Sequence, residues 1–219
     1  MSVSMQADLY WSFRSPYSYL GTKHDRAIAD EFDVEITLRP VYPIAIRNPD
    51  FFARVNPLWI PYVIRDCARI AEYRGLPFGF PSPDPIVQDL ATRKIAADQP
   101  YIYWLSRLGV EAARRGKGLA FIDEVSTLIW GDAVESWHEG EHLANAAARA
   151  GLELAAMQGA IEGNEEDLDA EIFANQDRLE AAGHWGVPCL VFEGEPFHGQ
   201  DRIDLALWRM KQKGLRPRA

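Results

Sequence analysis

The amino-acid sequence predicts an α/β protein, because strand patterns stand near both ends of the chain and helical patterns fill the middle. Residues 8–13 alternate between two faces, with Tyr10 on the polar one, and residues 34–39 alternate in the same way up to Pro40. This alternation is the period of a strand. Residues 15–28 lie between them and repeat apolar positions at spacings of three and four, which predicts a helix. The first forty residues therefore predict a βαβ unit with parallel strands.

The rest of the chain is predicted to be helical up to a short pair of strands near its end. Residues 48–183 carry apolar sets at helical spacing, and prolines and glycines divide them into several helices. Residues 189–192 form a short apolar run, residues 193–196 a turn, and residues 197–198 can pair back. A last helix is predicted from about residue 200 to 211.

This order of elements predicts a thioredoxin-like fold with an inserted all-helical domain. Residues 1–47 and 184–219 would form the two parts of the thioredoxin-like domain, and residues 48–183 the insertion. Periodicity alone leaves another α/β arrangement open.

Composition narrows the classes of partner. The 219 residues contain 23 Lys and Arg against 32 Asp and Glu, a net charge of −9, with no long run of either sign. Nucleic acid and anionic membranes are poor partners for such a surface. We expect a cytoplasmic protein without a membrane segment, because neither a leader pattern nor a stretch of about 18 apolar residues occurs. The two cysteines, Cys67 and Cys189, stand far apart and outside any C-x-x-C pair, which excludes a disulfide framework.

The first candidate site is the segment Ser15-Pro16-Tyr17-Ser18 at the predicted strand-to-helix turn. Free N–H groups and the helix dipole favour anions at such a turn, and a thiolate is one such anion. The Ser15 hydroxyl could therefore hold a bound thiol as its thiolate without being the nucleophile itself. The alternative is that Ser15 only caps the helix, which is the commoner role of a Ser-Pro pair.

Two further candidates lie near the end of the chain. The Val187-Pro188 bond precedes a strand and, if it were cis, would expose the Val187 backbone to an extended peptide, although sequence alone favours the trans isomer. The segment Gly199-Gln200-Asp201-Arg202 is predicted to open the last helix. Its N–H groups could accept a ligand carboxylate and Asp201 could bind a ligand ammonium, whereas the alternative is an Asp placed favourably at a helix start.

The remaining chemistry-bearing residues favour structural roles. His138 and His142 stand four apart, but no third ligand is evident, so we expect a solvated helix face and no metal site. The aromatic residues of the middle segment are more typical of helix packing than of a substrate cage; they are Tyr101, Tyr103, Trp104, Trp130 and Trp137.

Taken together, the two ends of the chain resemble one family. Residues 15–20, the Gly186-Val187-Pro188 turn and the Phe197-His198-Gly199-Gln200-Asp201-Arg202 segment resemble the 2-hydroxychromene-2-carboxylate isomerases. These enzymes are bacterial relatives of kappa-class glutathione transferases and, more distantly, of DsbA-like oxidoreductases. Residues 62–81 are also similar to the family, so the resemblance spans nearly the whole chain.

The resemblance implies one site for glutathione. Ser15 would lie beside the sulfur, the Val187 backbone would pair with the cysteinyl portion, and Gln200 and Asp201 would hold the γ-glutamyl end. Pro16, Tyr17 and Pro188 would belong to the same site, as would an Asn for which Asn56 is preferred to Asn48. The implied reaction is the reversible conversion of 2-hydroxychromene-2-carboxylate to trans-o-hydroxybenzylidenepyruvate, a small aromatic substrate. The resemblance also implies a homodimer.

Several alternatives stay open at this point. A kappa-like transferase would conjugate glutathione to electrophiles, and a DsbA-like module without redox chemistry would serve in binding or as a chaperone. Residues 130–142 depart from the isomerase pattern, which leaves the aromatic substrate in question. Cys189 could form a mixed disulfide with glutathione, but we expect it to be buried, as free cysteines usually are.

Overall fold

The computed structural model describes residues 4–89, 92 and 94–218. Its sheet contains β1 (Met5–Trp11), β2 (Val34–Pro40), β3 (Cys189–Phe192) and β4 (Glu195–His198), in the order β2-β1-β3-β4. Strands β1 and β2 are parallel, as predicted, and β3 runs antiparallel to both β1 and β4. Strand β1 begins earlier than predicted and ends at Trp11, because Met5 pairs with Val34 and Trp11 with Pro40.

Helices cover the sheet and fill the middle of the chain, which confirms the predicted α/β class and its thioredoxin-like fold. The helices of the described residues are α1 (Pro16–Glu31), α2 (Ile44–Arg47), α3 (Phe51–Arg54), α4 (Trp59–Arg74), α5 (Ile102–Arg114), α6 (Gly118–Trp130), α7 (His142–Arg149), α8 (Leu154–Ile161), α9 (Glu165–Ala181) and α10 (Ile203–Gln212). Helix α1 packs against α4, α6 and α10, whereas α9 packs against β2.

Both faces of the sheet are buried, so the predicted polar face of β1 does not exist at its centre. Tyr10 is 2% exposed and belongs to a small cluster with Val41, Leu179 and Cys189. Alternation in β1 therefore separates two buried environments rather than core from solvent. Helix α9 covers the second face, and its Asn175 side chain donates a hydrogen bond to the Pro40 carbonyl at 3.0 Å.

The predicted packing role of the middle aromatic residues is confirmed, because Tyr101, Tyr103 and Trp104 pack partly buried against the core and the other two are fully buried. Trp130 and Trp137 are fully buried, and their indole N–H groups donate to the carbonyls of Phe13 at 3.0 Å and Pro83 at 2.8 Å. His142 begins α7, but His138 precedes that helix and contacts the Tyr101 ring. The two histidines thus do not share a helix face. Within the described ranges, no group of three or more His, Cys, Asp or Glu side chains is arranged to hold a metal ion.

The end of the chain differs from the prediction in one way that affects the site. Helix α10 begins at Ile203, so residues 200–202 form a turn ahead of it rather than its first turn. The turn closes through the Arg202 N–H, which donates to the Gly199 carbonyl at 3.0 Å. Gly199 has a φ of +102°, and a Cβ there would lie 2.6 Å from an Asp201 carboxylate oxygen. Glycine is therefore required at this position.

None of the helices of the described residues is both long enough and apolar enough to cross a bilayer. The division of the chain into a domain and an insertion at residues 48 and 184 stays a prediction.

Candidate functional site

Ser15 caps α1 and faces the loop that precedes β3. Its Oγ accepts a hydrogen bond from the Ser18 N–H at 3.2 Å and donates to the Val187 carbonyl oxygen, 3.4 Å away. The second distance is long, because hydroxyl hydrogen bonds usually measure about 2.5–3.0 Å. The half-buried Ser15 hydroxyl is thus fixed by the cap and can still turn its proton to a closer acceptor.

The first turn of α1 leaves one backbone donor open beside Ser15. Pro16 has no N–H, and the N–H of Tyr19 donates to the Ser15 carbonyl at 3.2 Å. The Tyr17 N–H has no hydrogen-bond partner within the described part of the chain. An unpaired N–H at the positive end of a helix dipole favours a bound anion, and here it stands two residues from a hydroxyl donor.

The Val187-Pro188 peptide bond is cis, so the trans isomer favoured by sequence alone is wrong. Val187 is half-buried, and its N–H is unpaired within the described ranges. The next carbonyl, that of Pro188, accepts a hydrogen bond from the Gly199 N–H at 2.8 Å. Val187 is therefore an open backbone edge at Ser15, and the link from Pro188 to Gly199 joins this edge to the Gln200 turn.

Gln200 and Asp201 lie in that turn. Gln200 is 8% exposed, whereas Asp201 is exposed and paired with Arg202 at 2.6 Å. The backbone N–H groups of Gln200 and Asp201 have no partners among the residues that the structure describes. The expected combination of open N–H groups and one carboxylate is present, although a turn rather than a helix start presents it.

Arg74 holds this turn against α1, a role that the sequence did not suggest. Its guanidinium donates to the Leu20 carbonyl and, at 3.2 Å, to the Gln200 carbonyl. Gly21 allows the close approach, since a Cβ there would lie 3.3 Å from the Gln200 Cβ. Beneath Arg74, Asp25 is fully buried and neither carboxylate oxygen has a hydrogen-bond partner in the described structure. Burial raises the pKa of Asp25 to about 8, although the Arg74 charge opposes the shift.

The two candidate asparagines lie in different places. Asn48 is exposed and lines a cleft together with Arg47, Phe51 and Trp185. Asn56 is exposed in the loop before α4, where its side-chain oxygen accepts the Leu58 N–H at 3.0 Å. Asn48 thus lies at a cleft whose wall includes Trp185, two residues before Val187. The preference for Asn56 stays a prediction.

Tyr17 links the Ser15 turn to α4. Its hydroxyl donates to one Asp66 carboxylate oxygen at 2.9 Å, and the Tyr62 hydroxyl donates to the other at 3.3 Å. Burial and the hydrogen bond to Asp66 raise the pKa of Tyr17, so this phenol stays protonated. The sequence places Tyr62 and Asp66 in a segment similar to the isomerases but does not reveal their contact with Tyr17, 49 residues away from Asp66.

Neither cysteine has the environment of a reactive thiol. Cys67 is 1% exposed and Cys189 is fully buried, which confirms the prediction for Cys189. Burial raises the pKa of each thiol to about 12, and the Asp66 carboxylate adds to the shift at Cys67. Reactive cysteines have a lowered pKa instead. The anion-favouring turn of this protein therefore carries a hydroxyl, while its thiols lie in the interior.

Comparison with solved structures agrees with the fold. 2-Hydroxychromene-2-carboxylate isomerase superposes with a TM-score of 0.70 at 19% identity, covering 95% of each chain. A probable DsbA oxidoreductase from Streptomyces coelicolor gives a TM-score of 0.66 at 18% identity, covering 95% of this chain and 89% of its own. The cytosolic disulfide reductase DsbM from Pseudomonas aeruginosa, solved with GSH, gives 0.58 at 13% identity, covering 94% and 100%.

Comparison of sequences gives the family. None of the curated protein sequences compared with this chain matches it significantly. The family model described as a DSBA-like thioredoxin domain matches residues 6–210, which is most of the chain and includes Ser15, Val187 and Asp201. The chain therefore belongs to the family of DsbA-like thioredoxin domains.

Proposed function

We propose that this protein is a glutathione-dependent isomerase that interconverts 2-hydroxychromene-2-carboxylate and trans-o-hydroxybenzylidenepyruvate, or a closely related aromatic intermediate. The observation that carries the proposal is the Ser15 turn, where a hydroxyl, an open N–H and an open backbone edge meet without a cysteine. The likeness to the isomerase, at 19% identity, supports the fold on which this site stands.

The residues present fit glutathione at three points. The Ser15 hydroxyl and the Tyr17 N–H are donors for a thiolate, and together with the helix dipole they lower the pKa of a thiol bound there. The Val187 N–H is unpaired within the described residues, and its carbonyl accepts only the long hydrogen bond from Ser15, so this edge suits an extended peptide. The open N–H groups of Gln200 and Asp201 suit a carboxylate, and the exposed Asp201 carboxylate suits an ammonium.

When bound, glutathione supplies a nucleophilic thiolate whose reversible addition to a conjugated double bond permits rotation about that bond. The task of Ser15 is to hold the thiol charged at neutral pH, and that of Val187 is to fix the direction of the peptide. The protonated Tyr17 and its partner Asp66 form the wall next to Ser15. No protein group gains or loses atoms over the cycle, as an isomerisation requires.

Thiol–disulfide exchange by the protein itself is disfavoured by the state of its cysteines. Such exchange needs a thiolate with access to a disulfide. Both thiols here are buried with pKa values of about 12. The Cys67 thiol lies near the Tyr17 hydroxyl, but the side-chain bonds of Ser15 in the described structure involve neither cysteine. The described residues offer no dithiol site, so we assign the thiol to a ligand.

Titration calorimetry with glutathione tests the proposal first. The wild-type protein is expected to bind, and Ser15→Ala to weaken binding at pH 7 by about tenfold or more, since a hydrogen bond to a charged group contributes about 1.5–3 kcal/mol. Ser15→Thr keeps the hydroxyl and should retain most of the affinity. Ser126→Ala is the matched control, because its buried Oγ has no partner in the described structure. Absence of glutathione binding by the wild-type protein would refute the cofactor assignment.

Turnover separates the isomerase from a transferase. The chromene carboxylate is followed by absorbance with and without glutathione, and the products are analysed by mass spectrometry. An isomerase consumes no glutathione, whereas a transferase accumulates a stable adduct. Accumulation of the adduct would replace the isomerase by the kappa-like transferase.

A further inference from the structure

An open cleft of about 730 Å³ lies between the α2–α3 region and the loop from α9 to β3, the loop that leads to Val187. A volume of this size is in the range of small-molecule sites, which are commonly about 300–1,000 Å³. Trp185 lines the cleft and stands two residues before Val187. Two residues span at most about 7 Å of backbone, so this wall of the cleft is joined by a short stretch of chain to Val187, the partner of Ser15.

One wall of the cleft is aromatic and open. The Trp185 side chain is 48% exposed, and its ring contacts Phe51 edge to face with centroids 5.5 Å apart. The His184 ring stacks on Trp185 at 5.8 Å with an interplanar angle of 12°. The contacts with Phe51 and His184 hold the Trp185 ring in place, and its exposed part offers an aromatic surface for a flat ligand.

The polar groups of the cleft include one cation with unused donors. Arg47 is half-buried, and its Nε donates to the Tyr42 carbonyl at 2.7 Å. Its two terminal nitrogens have no hydrogen-bond partner within the described ranges. A shielded guanidinium with two parallel free N–H groups is the arrangement that binds a carboxylate in bidentate fashion.

The carboxylate of Glu180 also lines the cleft, but it does not form an ion pair with Arg47. Glu180 is exposed and makes no ion pair with Arg47 within 4 Å. Because an exposed charge is screened by solvent, Glu180 weakens the attraction for an anion only modestly. The deeper Arg47 therefore sets the sign of charge that the cleft prefers.

We propose that this cleft binds a planar aromatic carboxylate, with Arg47 holding the carboxylate and the ring lying against the aromatic wall of Trp185 and Phe51. The inference rests on the proposed function in that it supplies the site for the second reactant. Arg47 is thus a substrate-binding residue, and Trp185 sets the preference for an aromatic ring.

The test is titration calorimetry without glutathione, with trans-cinnamate as the probe and the uncharged trans-cinnamamide as its partner. The wild-type protein should prefer cinnamate. Arg47→Met should weaken cinnamate binding at least about tenfold and leave the amide unchanged, since it removes a charge-assisted pair. Trp185→Leu should weaken both probes. No binding of cinnamate, or equal binding of both probes, would overturn the proposal.

Glu180→Gln keeps the test decisive if Arg47→Met fails to fold, because Glu180 is exposed and its side chain makes no hydrogen bond or ion pair within the described residues. Loss of this negative charge should tighten cinnamate binding by about twofold, in line with an exposed pair. Weaker binding in Glu180→Gln would mean that the cleft prefers a cation, contrary to the proposal.

A last titration separates this inference from the cofactor assignment. Cinnamate should bind with similar affinity when glutathione is saturating, because the two are assigned to neighbouring sites. Competitive displacement by glutathione would assign the cleft to a part of glutathione and overturn the inference alone. Cinnamate binding by a protein that does not bind glutathione would instead overturn the proposed function and leave the cleft assignment standing.

Discussion

The Ser15 turn and the two cysteines lie in environments that have opposite effects on a thiolate. Ser15 is half-buried at the N-terminus of α1, next to an unpaired N–H and an open backbone edge. Cys67 and Cys189 are buried, and desolvation raises the pKa of each thiol to about 12, with the Asp66 carboxylate adding to the shift at Cys67. The fold thus presents hydrogen-bond donors for an anion where it has no thiol, and disfavours the thiolate where it has one.

This contrast explains how a thioredoxin-like fold can serve thiol chemistry without a redox-active cysteine. The first helix supplies its dipole and open N–H whatever side chain caps it. A hydroxyl cap donates a hydrogen bond to a visiting thiolate but cannot form a disulfide with it. A thiol that is borrowed in this way leaves unchanged after the reaction, which suits an isomerisation better than an oxidation.

Placing a thiol at the anion-favouring turn gives the largest expected effect. Ser15→Cys should be alkylated by iodoacetamide at pH 7 at least about a thousandfold faster than either native cysteine. The pKa of each native thiol is raised by about three units, which lowers its thiolate fraction about a thousandfold, whereas a helix N-terminus lowers the pKa of the new thiol. Mass spectrometry of peptides after timed labelling measures each rate.

Unfolded protein is the control for this labelling experiment. In concentrated urea all three cysteines should react at similar rates, since burial and the helix dipole are both lost. Fast labelling of Cys67 or Cys189 in the folded protein would contradict the contrast on which the thiol assignment rests.

Asp25 extends the comparison to a buried acid that titrates near neutral pH. Its folded pKa of about 8 lies above the unfolded value of about 4, so between these values the folded state keeps a proton that the unfolded state has lost. Stability should therefore fall as the pH rises from 4 to 8, with a slope of up to about 1.4 kcal/mol per pH unit. Urea unfolding at pH 5, 6.5 and 8 measures this slope.

Asp25→Asn is the matched variant, because it keeps the shape of the side chain and removes the titration. The unfolding free energy of this variant should not show the fall that Asp25 causes between pH 4 and 8. A wild-type slope equal to that of Asp25→Asn would mean that Arg74 keeps Asp25 ionised, and the interior would then hold an anion after all.

Local patterns in the sequence were sufficient to predict the order of the fold. The alternation in residues 34–39 and the apolar run of residues 189–192 each predicted a strand. Both segments pair in the sheet, as β2 and β3. The pattern misled at Tyr10, where a side chain of intermediate polarity lies in a second buried cluster beneath α9. It also placed the last helix three residues early, since the turn at Gly199 carries the polar residues of a helix start.

The site residues could be predicted where a short local pattern identifies them. They could not be predicted where their role depends on contacts with distant parts of the chain. Ser15 and Val187 could be identified because a proline follows each of them. In the structure the Ser15 Oγ lies 3.4 Å from the Val187 carbonyl oxygen. The isomer of Val187-Pro188 could not be predicted, because cis bonds are about 5–6% of such bonds. Arg74 and the Arg47 cleft depend on approaches between separate helices and loops, which no short pattern encodes. Trp185 offered the one usable signal, an aromatic residue two positions before Val187.

The smallest expected effect comes from removing the native thiols. The double variant Cys67→Ala and Cys189→Ala deletes one buried sulfur from each of two packed clusters and should lose about 1 kcal/mol of stability per site. Its glutathione affinity, measured by calorimetry, should stay within about twofold of the wild-type value, because the side-chain bonds of Ser15 in the described structure involve neither sulfur. A loss of affinity or turnover much greater than the loss of stability would mean that a thiol of the chain takes part in the chemistry. With affinity retained, the thiolate that Ser15 stabilises must come from the ligand.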